Sequence, residues 1–523
     1  MLCSITPLRR LHSAAPFATL TSTLTLNNKL IQHHVPKLQA LAATHSDPSS
    51  VLFSSASSTS STSSTSSTSS TSSTDTEEHI TQKYSRCWMD KYGHTHPTSV
   101  ILRPSSTPLL TQFLLYANNQ KLPIIPQSGN TSLVGSASPR SSSELVLSLD
   151  RFPSKITLDE EEGVMILDAG AILQDAIDLA TKRNFVFPVD LGAKGSCMIG
   201  GNVATNAGGI YFNRYGSMKS NVLGLEAVLP SGEVLDMMRC MLPKNSTGFD
   251  LKSLFIGSEG TLGVITKVAI KVHRKPLSND LCVFSCPNFE SVRTLEDRIQ
   301  TQLGSITSAV EIMDRGVLEL TKSKLNTQVP WELSAPYYVL VETMGFDPQT
   351  DRLTLESFFE KSFEDELVID GVLAQDQTQQ SEIWAVRESC GPAVNAAEQS
   401  WKYDLSLELK HWAPFVKTVQ SSIGDQGRVV LWGHLGDRNI HLNVVSDLRD
   451  VDLAEIIEPD IFDNAIKVKG SISAEHGVGL AKAKHMPKVV GENVLNIMRD
   501  IKRCFDPNGI MNPGKMLGNE IDN

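Results

Sequence analysis

Near its end the chain carries Gly-His434-Leu-Gly-Asp-Arg-Asn-Ile-His441-Leu-Asn443 and, further on, Ala-Glu475-His476-Gly. Two imidazoles and a carboxylate are donors that a divalent ion takes, and a third imidazole beside them can accept a proton. Val-Val-Leu-Trp before His434 and His-Leu-Asn-Val-Val from His441 onward read as two strands, separated by the turn signal Gly436-Asp437-Arg438-Asn439. A turn centred between Asp437 and Arg438 sets Gly436 opposite Asn439 and His434 opposite His441. Both imidazoles then share a face, about 4.5 to 5.5 Å apart at Cβ, and Asn443 lies on the same face. Glu475 completes three protein ligands and leaves a position open, which is the layout of a catalytic metal site. The residue types alone leave a second reading open, in which these are ordinary polar loop residues.

The elements that must position this group differ in character along the chain. From residue 88 to 275 short apolar strands alternate with helical stretches, the pattern of an α+β or α/β domain. Residues 100–103 read as a strand, 107–118 as an amphipathic helix and 122–125 as a second strand. Directly after comes Pro126-Gln127-Ser128-Gly129-Asn130-Thr131-Ser132-Leu-Val-Gly-Ser136, a loop of small residues whose N–H groups can approach an anion closely. Most loops of this kind are plain turns. A second segment, Gly192-Ala-Lys-Gly195-Ser196-Cys-Met-Ile-Gly200-Gly201-Asn202-Val-Ala-Thr205-Asn206-Ala-Gly208-Gly209, packs six glycines into eighteen positions. That density suits a backbone wrapped around a flat or charged ligand. A third, Gly257-Ser-Glu259-Gly260-Thr-Leu-Gly263-Val-Ile265, precedes a strand running toward Val272. The Rossmann fingerprint is absent: Gly477-Val-Gly479-Leu-Ala-Lys482 lacks its third glycine and opens no βαβ unit, which argues against nicotinamide.

A chain of 523 residues holds two or more domains. Its net charge of -11, with no basic stripe, argues against a nucleic-acid partner. No apolar run approaches the roughly 18 residues of a membrane span, so a soluble mature protein is expected. The eight cysteines form no framework, and reduced thiols are expected. Cys282 and Cys286 lie on one strand with no second pair nearby, which disfavours zinc there. Before Asp47 there is no acidic residue, while Arg9, Arg10, Lys29 and Lys37 are spread among Ser, Thr, Leu and Ala. This is the composition of a mitochondrial presequence, assigned to residues 1–46, and the Ser/Thr-rich stretch 47–79 reads as a disordered linker. A disordered tail carrying no address is the alternative.

The Pro-Gln-x-Gly-Asn-Thr loop, Met-Ile-Gly-Gly-Asn-Val-Ala-Thr-Asn-Ala-Gly-Gly, Gly-Ser-Glu-Gly-Thr-Leu-Gly, His-Leu-Gly-Asp-x-Asn-x-His and Glu-His-Gly-Val-Gly, in this order, resemble the FAD-linked 2-hydroxyacid dehydrogenases of the vanillyl-alcohol-oxidase superfamily. The resemblance spans roughly residues 80 to 520. It implies an α+β protein with a PCMH-type FAD-binding domain at 80–275 and a substrate and metal cap at 276–500 built on an antiparallel sheet. A short C-terminal segment, 501–523, would return to the FAD domain. FAD would be held by Pro126, Gln127, Ser128, Gly129, Asn130, Thr131, Ser132 and Ser136 around the pyrophosphate. Gly195, Ser196, Gly200, Gly201, Asn202, Thr205, Asn206, Gly208 and Gly209 would run along the flavin, with Glu259, Gly260, Gly263, Ile265 and Asn512 completing the site.

By the same likeness His434, His441 and Glu475 would bind a divalent metal, zinc in first place, and His476 would be the base. Arg387, Lys402 and Asn443 would join His476 on the substrate. The implied reaction takes a 2-hydroxydicarboxylate, (R)-2-hydroxyglutarate, to 2-oxoglutarate in the mitochondrial matrix. Hydride would pass to flavin N5, and electron-transfer flavoprotein would be the acceptor. A D-lactate dehydrogenase of the same fold and a flavin-free binding protein are the competing expectations, and a homodimer is left open. Five positions depart from the family: Ser128, Ser132 and Ser136 stand where glycine is usual, Arg438 replaces a glycine at the hairpin tip, and Gly391 replaces a threonine that contacts substrate in some relatives.

Overall fold

The computed structural model describes residues 31, 33–53, 83–85, 98, 100–448 and 452–518. Strands β1 (Val51–Phe53), β2 (Val100–Leu102), β3 (Ile124–Gln127) and β4 (Leu145–Ser148) form a sheet in the order β1-β2-β4-β3. β2 and β3 run parallel to β4, which requires a crossover, and the helix Thr107–Gln120 supplies it. The Ser106 side chain caps that helix, and Lys121 ends it in the left-handed region at φ 53°. Leu109, Leu110, Phe113, Leu114 and Ala117 form its buried stripe against the sheet.

Next come β5 (Ile156–Asp159), β6 (Val164–Asp168), β7 (Phe185–Val186), β8 (Val222–Val228), β9 (Val234–Asp236), β10 (Val264–Lys271) and β11 (His273–Arg274). β7 and β11 pair as a ribbon, and the others form an antiparallel sheet in the order β5-β6-β10-β8-β9.

The cap is one antiparallel sheet of seven strands: β12 (Ser278–Cys286), β13 (Thr307–Asp314), β14 (Tyr337–Gly345), β15 (Asp370–Leu373), β16 (Gln399–Ser406), β17 (Arg428–His434) and β18 (Asn439–Ser446). Their order is β15-β12-β14-β13-β17-β18-β16. Side chains alternate between two covered faces. Phe284, Val339, Leu431 and Leu442 pack with Val292, Leu355 and Trp412 from the helices Phe289–Arg298, Pro348–Glu364 and Trp412–Ile423. Leu281, Met313, Leu340 and Val430 pack with Val317 of Arg315–Leu325 and with Ile383, Val386 and Cys390 of Gln377–Asn395. Cys282 and Cys286 are buried in the first of these cores, and burial pushes both thiols up, Cys286 to about 12.

After the helix Glu492–Phe505 the chain returns to the N-terminal domain. Ile124 N donates to Ile510 O and Asn512 N to Ile124 O, which seats this segment on the β3 edge. Lys515, fully buried, donates to the carbonyls of Ser136 and Ser138 and so ties the segment to the first glycine-rich loop.

One expected boundary does not hold. Residues 47–53, assigned to a disordered linker by composition, form the turn Pro48–Ser50 and strand β1, which pairs antiparallel with β2. Ahead of them the helix Val35–Thr44 buries Val35, Leu38 and Ala42 in the core that holds Leu102 and Leu109. The rest of the presequence and linker assignments, residues 1–30, 32 and 54–79, lies outside the described residues. Among the described residues no helix is long and apolar enough to cross a membrane.

Candidate active site

β17 and β18 form the hairpin expected around the two histidines, in a register two residues away from expectation. His434 faces Asn439, and His441 faces Trp432. The connecting loop, 435–438, is longer than a two-residue turn. Arg438 N bonds Leu435 O, and Asp437 Oδ1 accepts from Asn439 N. A slip of two keeps every side chain on its face, so the imidazoles remain neighbours with ring centroids 5.5 Å apart. Arg438 does have positive φ, at 71°, and its Nη1 bonds Leu435 O at 3.2 Å and ion-pairs with Glu296 Oε1 at 2.9 Å.

Adjacent strands bring further groups to that face. Glu311 on β13 is opposite His434, while Asp404 and Lys402 on β16 are opposite His441 and Asn443. Glu475 and His476 enter from the loop after the Ser406–Ser471 bridge, and both of their N–H groups donate to Asp404 Oδ2, at 3.1 and 2.9 Å. Three imidazoles thereby meet one carboxylate: Glu475 Oε1 is 3.4 Å from His441 Nε2, 3.5 Å from His476 Nε2 and 3.9 Å from His434 Nε2. Donors bound tetrahedrally to zinc sit about 3.4 Å from one another, so this donor set fits a dication. Among the described residues Asp404, His441, Glu475 and His476 bring donor atoms within 4.8 Å of one another. His434 stands at the edge of this group, and Asp404 was absent from the expected set.

Charge is unevenly held here. Burial pushes His434 down, but the Glu311 carboxylate on its Nδ1, at 2.7 Å, outweighs this with help from Glu475 and holds the imidazole at about 9. Burial takes His441 down to about 3 against the pull of Glu475 and Asp404. Burial raises Glu475, yet its hydrogen bond with His476 and the charges of His434 and His441 leave it well below the usual carboxylate range. Burial lowers His476, and Asp404 and Glu475 more than reverse that.

The site opens onto a cavity of about 800 Å³. Its wall contains most of the expected cofactor residues, Pro126 through Ser132 and Ser136, Ser196, Gly200, Gly201, Asn202, Thr205, Gly209, Glu259, Gly260, Gly263 and Ile265. It also contains Arg387, Lys402, Asn443, His434, His441, Glu475 and His476. Gly195, Asn206, Gly208 and Asn512 lie off the wall. Asn206 ends the helix Ile199–Ala204 at φ 53° and accepts from Lys219 N, while Gly208 abuts the Phe212 ring. Asn512 donates to the carbonyls of Ser136 and Glu259, joining two glycine-rich loops from behind. The Glu259 carboxylate accepts from Val478 N and Gly479 N, at 2.6 and 2.8 Å.

The residues present fit a flavin. A Cβ at Gly129 would lie 2.2 Å from Ser196 O, so glycine lets the first two loops close together, and the buried Oδ1 of Asn202, on the wall, has no protein partner. Ser132 and Ser136 are accommodated by contact between their hydroxyls, 3.1 Å apart.

Arg387, expected to offer a fork to substrate, spends one edge within the protein. Its Nε donates to Glu311 Oε2 at 2.7 Å, Nη2 ion-pairs with the same oxygen, and the guanidinium stacks over Trp432 at 4.4 Å. Lys402 donates to Asn395, which also lines the cavity. Sequence reasoning missed Glu311, Asp404, Trp432 and Asn395. The signal for Glu311 was an acid inside the apolar run Ala309-Val-Glu-Ile-Met313, and for Asp404 its place two residues from Lys402 on a strand.

Comparison with known proteins places both halves. Residues 98–238 match the FAD binding domain family, and 275–516 match the C-terminal domain of FAD linked oxidases. The fold aligns with p-cresol methylhydroxylase at a TM-score of 0.71 and 17% identity, over 94% of this chain and 98% of that one. Fold and matched domains together define an FAD-linked oxidoreductase. The mitochondrial D-2-hydroxyglutarate dehydrogenase of Arabidopsis thaliana is 41% identical over 435 residues, 83% of this chain and 77% of the relative. The D-2-hydroxyglutarate–pyruvate transhydrogenase of Saccharomyces cerevisiae is 38% identical over 445 residues, 83% of this chain and 89% of the relative. The chain belongs to the FAD-linked 2-hydroxyacid dehydrogenase family.

Proposed function

We propose that the chain oxidises (R)-2-hydroxyglutarate to 2-oxoglutarate in the mitochondrial matrix and delivers the electrons to electron-transfer flavoprotein. The carrying observation is the convergence of His434, His441 and His476 on Glu475 at one end of the cavity that the glycine-rich loops line, with Arg387 and Lys402 in the same wall. The names of the two curated relatives support this substrate. When bound, FAD supplies a two-electron acceptor, and a divalent ion supplies positive charge against the carboxylate and hydroxyl of a 2-hydroxyacid, lowering the hydroxyl pKa.

His434, His441 and Glu475 would hold that ion. His476, with its backbone fixed on Asp404, takes the hydroxyl proton at Nε2, and a positioned base of this kind contributes about 10² to 10⁴ in rate. Arg387 and Lys402 attract the distal carboxylate, a group that lactate lacks. Asn443, opposite Lys402 on the sheet, contacts the same substrate.

Absorbance of the purified protein should show flavin bands. kcat/KM should be higher for (R)-2-hydroxyglutarate than for D-lactate, and His476→Asn should lower kcat by about 10² to 10⁴ with zinc retained. A reversed substrate preference would defeat the assignment, and a protein that takes up no added FAD would be a binding protein. Zinc lost with His476→Asn would make that residue a ligand. Reoxidation by pyruvate and not by electron-transfer flavoprotein would replace the proposed acceptor.

A further inference from the structure

Glu311 is fully buried on β13, between two side chains with separate expected roles, and neither the matched domains nor the relatives' names say anything of it. Its Oε1 is 2.7 Å from His434 Nδ1, and its Oε2 is 2.7 Å from Arg387 Nε. A carboxylate only accepts, so His434 must donate from Nδ1. With an ion in place of the proton at Nε2, that arrangement would leave the Nε2 lone pair on the side of Glu475, where a metal ligand needs it. The other oxygen orients Arg387, which Trp432 holds from its ring face. Both bonds are possible because strand register sets Glu311 directly opposite His434, while the helix Gln377–Asn395 lays Arg387 onto the same sheet face.

We infer that Glu311 is a positioning residue shared by the metal and substrate subsites: one carboxylate fixes the tautomer of His434 and the orientation of Arg387, so that changing this one group disturbs both subsites at once. The inference rests on the metal reading proposed above. Its distinguishing chemistry is the count of acceptor oxygens. Glutamine at 311 has the same shape but one acceptor. That oxygen goes to the charged Arg387, and the amide NH2 then faces His434 Nδ1 and makes it an acceptor. The imidazole is driven to its Nε2–H tautomer, which cannot ligate. If Arg387 is also replaced by methionine, the amide is free to turn its oxygen to His434, and the ligating tautomer returns.

The test is zinc affinity of the FAD-loaded full chain, measured by competition with a chelator, alongside KM for (R)-2-hydroxyglutarate. Glu311→Gln should weaken zinc binding by about 10- to 100-fold, the range for loss of a carboxylate behind a ligand histidine. Arg387→Met alone should leave zinc affinity near wild type and raise KM. The double variant should recover most of the lost zinc affinity while keeping the raised KM, an outcome that general loosening of the fold does not produce. Equal zinc affinity in wild type and Glu311→Gln overturns the inference and spares the metal reading, as does a double variant that binds zinc no better than Glu311→Gln. A wild-type chain that binds no zinc overturns both.

Discussion

Arg438 sits at the tip of the hairpin that carries His434 and His441, in a left-handed conformation that costs a non-glycine residue about 1 to 2 kcal/mol. The family resemblance put glycine there, and the backbone still requires the glycine-like φ. What holds an arginine in place is Glu296, a buried carboxylate on the helix Phe289–Arg298 that meets the guanidinium. Orphaning a buried charged acceptor costs about 1 to 3 kcal/mol or more, somewhat above the relief of backbone strain. Arg438→Gly is therefore expected to lower stability by on the order of 1 kcal/mol in urea denaturation, and Arg438→Ala by about 1 kcal/mol more, since alanine loses the ion pair and keeps the strain. A glycine variant more stable than wild type would show that Glu296 contributes nothing at the tip. The same logic of counting partners makes Glu311 consequential, since one carboxylate there answers two donors.

At the scale of elements, what was legible was periodicity, and what was hidden was pairing. The strands around His434 and the helix after Thr107 could be read from local pattern, because face and stripe follow from spacing alone. Register could not: the loop of 435–438 moved His441 opposite Trp432, and the shared face survived only because side chains repeat every two residues. Glu311 stood out in the sequence only as an acid in an apolar run, and it is the pairing of β13 with β17 that makes it a site residue. The order of segment 35–53 was hidden for another reason. Its absence of acids before Asp47 is presequence-like, and that compositional signal overrode the spacing of Val35, Leu38 and Ala42, which is a buried helical stripe. Leu38 has no exposed surface, so Leu38→Ala should cost about 2 to 5 kcal/mol, read from thermal or urea unfolding. Any mature N-terminus should lie ahead of Ile31, checked by terminal sequencing of the imported chain. A chain beginning at residue 47 with undiminished melting temperature would refute this placement.

Across the whole molecule, the base and one proposed metal ligand ride on a loop gripped from both domains. Asp404 of the cap accepts the N–H groups of Glu475 and His476, and Glu259 of the FAD domain accepts those of Val478 and Gly479. Gly477 and Gly479 make the grip possible. Both have positive φ, and a Cβ on Gly477 would come 2.8 Å from Glu259 Oε1. Lys482 is buried nearby, 3.9 Å from Asp404, and burial lowers its pKa while Asp404 and Glu259 oppose the shift. Glu259 lines the cavity as expected of a cofactor residue, while its carboxylate bonds the loop that faces the cavity, and this separates two outcomes for Glu259→Ala. If the carboxylate held FAD, flavin content would fall first. Because its oxygens are on Val478 and Gly479, we expect the variant to keep FAD and to lose kcat by about tenfold or more, as misplacing a reacting group by an ångström can cost 10²-fold. Zinc affinity should fall with kcat, since Glu475 is on the same loop. Flavin absorbance, zinc competition and steady-state rates measured on one preparation decide it. Loss of FAD with kcat preserved in the flavin-loaded fraction would return Glu259 to the cofactor and leave the loop held from the cap alone.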